Sequence, residues 1–437
     1  MPVTVETVLD TAGAGRFQRR LLGIFGLVWA ADAMQVLAVG FTSASIAASF
    51  NVELPQALQT GTLFFLGMLI GAALFGRLAD RFGRRNVLLI TVACDAIFGL
   101  LSVFAPNLWV LYGLRLLTGI AVGGTLPVDY AMMAEFLPAK NRGRWLVILE
   151  GFWAIGTVAI ALAAWLASLY VPVTDAWRWI LAFTALPALI GIWLRLWVPE
   201  SPLFLLRQNR QADLLKVLNT ILRTNGKPEL PPDTTITTPP VEARQGIFSP
   251  ALRRRTLSIL LVWFLVSVSY YGIFTWLPAR LAQDGFGYVR GFGFLVLVAI
   301  AQLPGYALAA WGVEAIGRKP TLIGFLLLSA AGCALFLVAG DGWLIGTSIL
   351  LMSFALLGTW GALYAFTPEL YPTVSRATGM GAAGAVARLG GLLAPSVMAL
   401  IFVQNFSLAI ALFAGLLLLG ALAATRVDAE TRRAVLD

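Results

Sequence analysis

Among the ionisable residues inside the long apolar stretches of this sequence are Asp32, Arg115, Glu150 and Arg388. A charge at mid-bilayer costs at least ~2.5–3.5 kcal/mol, so each needs a partner or a task. Asp32 falls 11 residues into the first apolar segment, roughly 16 Å from its start. Arg115 falls 8 residues into the fourth, which runs the opposite way, roughly 12 Å from the other surface. Across a hydrocarbon core about 30 Å thick they reach similar depth. A neighbouring arginine holds an aspartate ionised, and protonation releases it, so the pair is predicted to be a proton-coupling switch, against the plainer reading of a permanent salt bridge. Glu150 is a second proton candidate. Arg388, 12 residues into the eleventh segment, is again near mid-depth, with no carboxylate of its own half beside it. Such a cation invites an anionic substrate; the alternative is an unplaced acid partner. Trp29, Trp153, Tyr270, Tyr271, Trp360 and Tyr364 lie on segments one, five, seven and ten. Singly they suit packing or interface anchoring; together they suit stacking of a flat ring.

What the chain lacks narrows its chemistry. There is no histidine, which removes the usual general base, the commonest metal ligand and every Ser-His or Cys-His arrangement. No catalytic residue, metal or cofactor is expected, and any proton carrier must be a carboxylate. Cys94 and Cys333 sit in apolar stretches and read as buried free thiols.

These residues must be held by membrane helices. Of the 437 residues 59% are hydrophobic and 12% charged, with a mean hydropathy of +0.84. A soluble chain is ~45–50% apolar and ~25% charged, so a soluble enzyme is excluded. Twelve segments are apolar and long enough to span: 21–49, 58–79, 86–105, 107–136, 144–170, 177–198, 255–279, 289–313, 320–340, 343–370, 376–403 and 406–425. Lys and Arg collect in alternate loops, which predicts both termini in the cytoplasm of a multi-pass cell-membrane protein. The net charge of +9 is therefore a topology signal, not a nucleic-acid patch. Met1 to Arg20 reads as a cytoplasmic lead-in to a retained first helix. Residues 1–198 and 255–437 read as two six-helix bundles, and 199–254 as a cytoplasmic linker. Within it, Ser201 to Arg223 predicts an amphipathic helix along the membrane surface.

The halves repeat. Asp80-x-x-Gly83-Arg84-Arg85 recurs as Glu314-x-x-Gly317-Arg318-Lys319, and Glu135-x-x-Pro138-x-x-x-Arg142 as Glu369-x-x-Pro372-x-x-x-Arg376, all 234 positions apart. A parallel repeat implies a pseudo-two-fold axis along the membrane normal, with a binding site between the halves at mid-depth.

Gly76-Arg-Leu-Ala-Asp80-Arg-Phe-Gly83-Arg84-Arg85 resembles the loop 2–3 signature of the major facilitator superfamily. Pro199-Glu200-Ser201-Pro202, Glu135 with Arg142-Gly143-Arg144, and Thr367-Pro368-Glu369-Leu-Tyr371-Pro372-Thr373 resemble the sugar porters and their organic-ion relatives. Trp29-Ala-Ala-Asp32-Ala-Met34 and Glu135-Phe-Leu-Pro138-Ala-Lys140 are similar to the niacin-porter and synaptic-vesicle-type branch. The resemblance implies a twelve-helix, all-α carrier of two pseudo-symmetric six-helix bundles, working by alternating access. It also implies salt bridges closing an inner gate, here from Asp80, Arg84, Glu135, Arg144, Glu200, Glu314, Arg318, Glu369 and Arg376; helix capping is the plainer alternative. The Ala387-Arg388-Leu389-Gly390-Gly391 run is similar to the organic-anion branch.

Departures narrow the substrate. Segments five and seven have no Gln or Asn, the amides with which sugar porters hold polyols, so a sugar is disfavoured: each unpaired hydroxyl costs ~1–3 kcal/mol. Gly151-Phe-Trp-Ala-Ile-Gly156 lacks the antiporter proline. The resulting expectation is proton symport of a small, aromatic carboxylate such as nicotinate. The partners are that substrate, a proton and the lipid bilayer, and the carrier is monomeric. An organic cation carrier with Asp32 as counter-ion is the rival, and a non-transporting sensor stands behind it. Asp95, in mid-segment three, has no assigned role.

Overall fold

The computed structural model describes residues 3–138, 142–237, 246–283, 287–402, 406–428 and 431. Among these residues the secondary structure is helical. A short helix α1 (Val5–Ala12) precedes α2 (Arg16–Phe50), α3 (Leu54–Phe82), α4 (Arg84–Ser102), α5 (Leu108–Glu135), α6 (Arg142–Tyr170) and α7 (Ala176–Arg195). The middle segment forms α8 (Pro202–Arg207) and α9 (Gln211–Thr224). Then come α10 (Arg253–Gln283), α11 (Gly287–Ile300), α12 (Gln302–Ala315), α13 (Arg318–Val338), α14 (Gly342–Glu369), α15 (Thr373–Phe402) and α16 (Phe406–Thr425). Eleven spans are long and apolar enough to cross a membrane, with α11 and α12 forming one of them. Helix α15, 30 residues long, lies where the remaining predicted segment stands.

The repeat is carried by local chemistry. Helices α5 and α14 are capped by Asn107 and Asp341, 234 positions apart. Their side chains accept from Val110 N at 3.0 Å and Leu344 N at 2.7 Å. Each cap satisfies one of the donors that a helix start leaves orphaned. Two positions on, Trp109 and Trp343 are 80% and 84% exposed, as aromatic anchors at a membrane interface should be. Gly83 and Gly317 end the paired loops at φ +96° and +128°, where a side chain would be strained.

Packing follows the same repeat. Helix α2 packs on α6 and α7, α3 on α5, and α4 on α5 and α7. In the second half α10 packs on α15 and α16, α12 on α14, and α13 on α14 and α16. The halves meet through α2 with α10, α3 with α15, and α6 with α11. The α3–α5 seam is close because glycines line it: a Cβ on Gly67, Gly119 or Gly123 would collide with the carbonyl of Leu116, Phe64 or Met68. Lipid cannot drive apolar faces together as water does, so backbone approach must supply the contact.

Two expectations need correction. Segment 289–313 is interrupted at Ala301, between α11 and α12. The stretch from Ser201 to Arg223 is two helices, broken where Asn209 takes φ 55°. Its apolar face, Leu214, Leu218, Ile221 and Leu222, is fully buried against protein, in a cluster with Val5, Val8 and Leu9 of α1. Asn225 binds this layer together: its Oδ1 accepts from Phe17 N at 3.0 Å and its Nδ2 donates to Gln18 Oε1 at 2.8 Å. The linker and the N-terminal segment are thus on one side of the bundle, joined also by Thr237 N donating to Val3 O at 2.9 Å.

Candidate functional site

The six aromatic residues singled out in the sequence converge between the halves. Trp153 Nε1, on α6, donates to the Tyr270 hydroxyl on α10 at 3.2 Å, bridging the halves. Ring centroids of Tyr270 and Tyr271 are 5.1 Å apart, Tyr270 and Trp360 5.9 Å, and Trp360 and Tyr364 5.9 Å. Trp29 reaches Tyr364 through Tyr130: Trp29–Tyr130 and Tyr130–Tyr364 are both 6.2 Å. Trp263 closes the far side, 4.8 Å from Tyr364.

Tyr130 and Trp263 were not among the candidates, yet they stand 234 positions from Tyr364 and Trp29. The ladder Trp29–Tyr130–Tyr364–Trp263 is therefore two-fold related, and its middle pair crosses between the halves. The repeat offset, applied residue by residue, would have found both. Beyond the ladder the interface holds a cavity of about 20 Å³, lined by Leu37, Phe41, Thr157, Phe274 and Gln302 among others. That is room for one water. The Gln302 amide is fully buried there with no hydrogen-bond partner among the described residues.

Charge breaks this symmetry. The positions 234 away from Asp32, Glu150 and Arg388 are Val266, Gly384 and Ala154, so the acids come from the first half and the cation from the second. Arg388 Nη1 donates to Gly384 O at 2.9 Å, one turn back on α15. Its Nε is buried with no partner among the described residues. Tyr364, Tyr271 and Asp32 are all within electrostatic reach of the guanidinium. Glu150 is 97% buried, counted from its 3% exposure. Trp29 flanks it, and it lies within reach of the phenols of Tyr130, Tyr271, Tyr306 and Tyr364. The Trp29 indole is a donor beside this carboxyl, but neither Trp29 Nε1 nor Glu150 Oε1 makes a hydrogen bond of normal geometry among the described residues. The fold thus places Glu150 in the aromatic cluster.

The expected Asp32–Arg115 pair is corrected. Arg115 donates from Nη1 to Gln35 Oε1 at 2.8 Å and from Nη2 to Gln35 O at 2.9 Å. Its guanidinium sits 4.5 Å from the Phe64 ring centroid, and the carboxylate acting on it is Asp95. Asp95, left without a role by the sequence, is thus part of a buried Asp95–Gln35–Arg115 group. Asp32, one turn from Gln35 on the same helix, lies within electrostatic reach of Arg388.

The terminus-side charges are also rearranged. Arg84 pairs with Glu135 at 2.8 Å, and Arg318 with Glu369 at 2.9 Å. These pairs are 234 positions apart, and each lies inside one half. Ser201 donates to Glu135 and Thr431 to Glu369; Glu314 meets Arg318 at 3.1 Å. Glu200 is a helix cap: its Oε1 accepts from Arg84 N at 3.1 Å and Arg85 N at 3.2 Å. That carboxylate lies where a Cβ on Gly83 would be. Arg376 Nε donates to Pro368 O at 3.0 Å. Arg144 is exposed, and the Asp80 side chain is outside the described residues. As they stand, these contacts tie helix ends within each half and do not lock one half to the other. Between the halves lie Arg142 and Arg376, the repeat partners, with Glu6 of α1 in reach of both and 3.7 Å from Arg142.

Comparison with known proteins agrees with this architecture. The Major Facilitator Superfamily profile matches residues 23–395. The niacin transporter NiaP of Acinetobacter baylyi is 37% identical over 396 residues, 89% of this chain and 88% of that one. A putative niacin/nicotinamide transporter of Bacillus subtilis is 35% identical over 96% of this chain and 98% of its own length. The synaptic vesicle 2-related protein of Xenopus laevis is 31% identical over 98% and 81%. Among solved structures, the xylose transporter XylE of E. coli in an inward-open conformation matches with TM-score 0.77 at 20% identity, covering 96% of this chain and 98% of that one. At that identity the likeness concerns the fold alone. The protein is a multi-pass membrane transporter, not an enzyme, and it belongs to the major facilitator superfamily.

Proposed function

We propose that this transporter takes up a small aromatic carboxylate of the nicotinate type together with a proton. The observation that carries this reading is Arg388. Its guanidinium keeps a donor unused inside an aromatic cluster, within electrostatic reach of Asp32. A carboxylate held by two parallel guanidinium donors with its ring against tyrosine and tryptophan uses every feature of the site. The relatives named for niacin support that substrate class.

Coupling then needs no residue outside the cluster. An ionised Asp32 competes with the substrate for Arg388; a protonated Asp32 gives the guanidinium up. Proton and anion therefore bind together, and their sum moves no net charge. We place both termini in the cytoplasm, from the Lys/Arg asymmetry of the loops. Residues 1–198 and 255–437 rock as two bundles about the site, with 199–254 as their linker.

Arg388→Ala tests the reading in purified transporter. It removes a charge-assisted contact worth ~1.5–3 kcal/mol, so affinity for nicotinate falls roughly 10- to 100-fold. The neutral amide loses far less, and Arg388→Lys rescues in part because lysine lacks the planar fork. The rival, an organic cation held by Asp32 and Glu150, is favoured by there being two carboxyls in the cluster. It requires Arg388→Ala to leave binding of an aromatic amine unchanged or stronger. Equal losses for acid and amide would reject contact between Arg388 and the ligand.

A further inference from the structure

The cluster contains a second group poised for a ligand. Glu150 and Arg388 come from opposite halves, and both are within electrostatic reach of the Tyr271 and Tyr364 phenols. Each presents a buried polar atom, Glu150 Oε1 and Arg388 Nε, without a hydrogen bond of normal geometry among the described residues; the Trp29 indole beside Glu150 is a donor to that carboxyl that likewise makes none. Burying such atoms unpaired is costly, which makes both strong candidates for ligand contacts. A benzoate-like ring with one carboxylate would satisfy only Arg388. Stacked on the same tyrosines, it would leave Glu150 Oε1 facing a C–H edge.

Resting on the reading above, we propose that Glu150 is the specificity-determining residue that selects a pyridine ring: it shares one proton with the ring nitrogen while Arg388 holds the carboxylate. No bond to carbon forms or breaks. The proton lies between Oε1 and the ring nitrogen, and the acid and the base remain the only partners to it. A site built to hydrogen-bond a ring atom rejects the analogue that lacks it far more strongly than an apolar pocket rejects an isostere. Because Glu150 is fixed on α6 and Arg388 on α15, the distance between them also selects where on the ring the nitrogen stands relative to the carboxylate. The two contacts fall on opposite halves, so only a ligand carrying both groups joins the halves through itself.

The test is equilibrium binding to purified wild-type, Glu150→Leu and Glu150→Gln transporter, using nicotinate, benzoate and the two other pyridine carboxylate isomers. Wild type is expected to bind nicotinate at least about 10-fold tighter than benzoate. Glu150→Leu brings that ratio close to one, because nicotinate loses its ring-nitrogen contact and benzoate no longer leaves a buried carboxyl unpaired, and so binds as well as before or better; it also flattens the preference among isomers. Glu150→Gln, which keeps a donor and an acceptor at the same place, retains most of the ratio. Benzoate binding reports in each variant that the fold and the Arg388 contact survive. A Glu150→Leu protein that binds benzoate and still prefers nicotinate as strongly as wild type overturns the inference and leaves the proposed function standing. So does a Glu150→Gln protein indistinguishable from Glu150→Leu. A wild type that binds none of these acids overturns the proposed function and this inference with it.

Discussion

Arg318→Ala measures what the paired terminus-side salt bridges do. The guanidinium makes a two-point contact with Glu369, Nε to Oε2 at 2.9 Å and Nη2 to Oε1 at 3.1 Å, and donates from Nη1 to Val313 O at 2.9 Å. The two side chains are only 12% and 19% exposed. An exposed pair is worth ~0–1 kcal/mol, whereas breaking a fully buried one costs ~3–5 kcal/mol. At this burial, with Thr431 still donating to Glu369, we expect about 2–3 kcal/mol by interpolating between those limits. The assay is denaturant unfolding in detergent, run as a double-mutant cycle with Glu369→Ala. Each single change should cost that amount, the double change little more, and Glu314→Ala less than ~0.5 kcal/mol, because Glu314 is 73% exposed. The pair lies within one half, so the loss should appear in unfolding and leave the balance between outward- and inward-facing states nearly unchanged. Additive single losses, or unchanged stability with a shifted conformational balance, would refute this and restore the pair as a gate between halves.

Other expectations follow from particular contacts. Gly119→Leu drives a side chain into the Phe64 carbonyl, which cannot rotate away. It should destabilise by ~1–3 kcal/mol or more, measured by the same unfolding, and a neutral result would mean that the α3–α5 seam is looser than drawn. Asp32→Asn imitates the protonated carboxyl and removes the competitor for Arg388. Proton-driven accumulation should vanish while exchange of nicotinate persists, and accumulation with wild-type pH dependence would reject the coupling scheme. A tag near Thr235 should be inaccessible to impermeant reagents in intact cells; labelling from outside would reverse the proposed orientation.

Much of this architecture is legible without coordinates, because the signals are local. A run of about twenty apolar residues spans a bilayer wherever it stands, and Asn107 and Asp341 cap their helices through atoms three residues away. The 234-residue offset is likewise a property of the string, and it contained Tyr130 and Trp263 before any helix was packed. The pairing of charges was not contained there. Residue number gives depth along a helix, but a buried charge chooses its partner by the direction its helix face points and by which helix stands opposite. Asp32 and Arg115 are predicted at one depth, yet Gln35 and Asp95 occupy the face of Arg115, and Asp32 lies within electrostatic reach of a cation more than three hundred and fifty residues away, Arg388. The same reason separates the two meanings of Arg84–Glu135 and Arg318–Glu369. The family resemblance implied salt bridges among them, but whether a bridge crosses between the halves or stays inside one depends on helix neighbours, and those are settled only when the glycine-lined seams close.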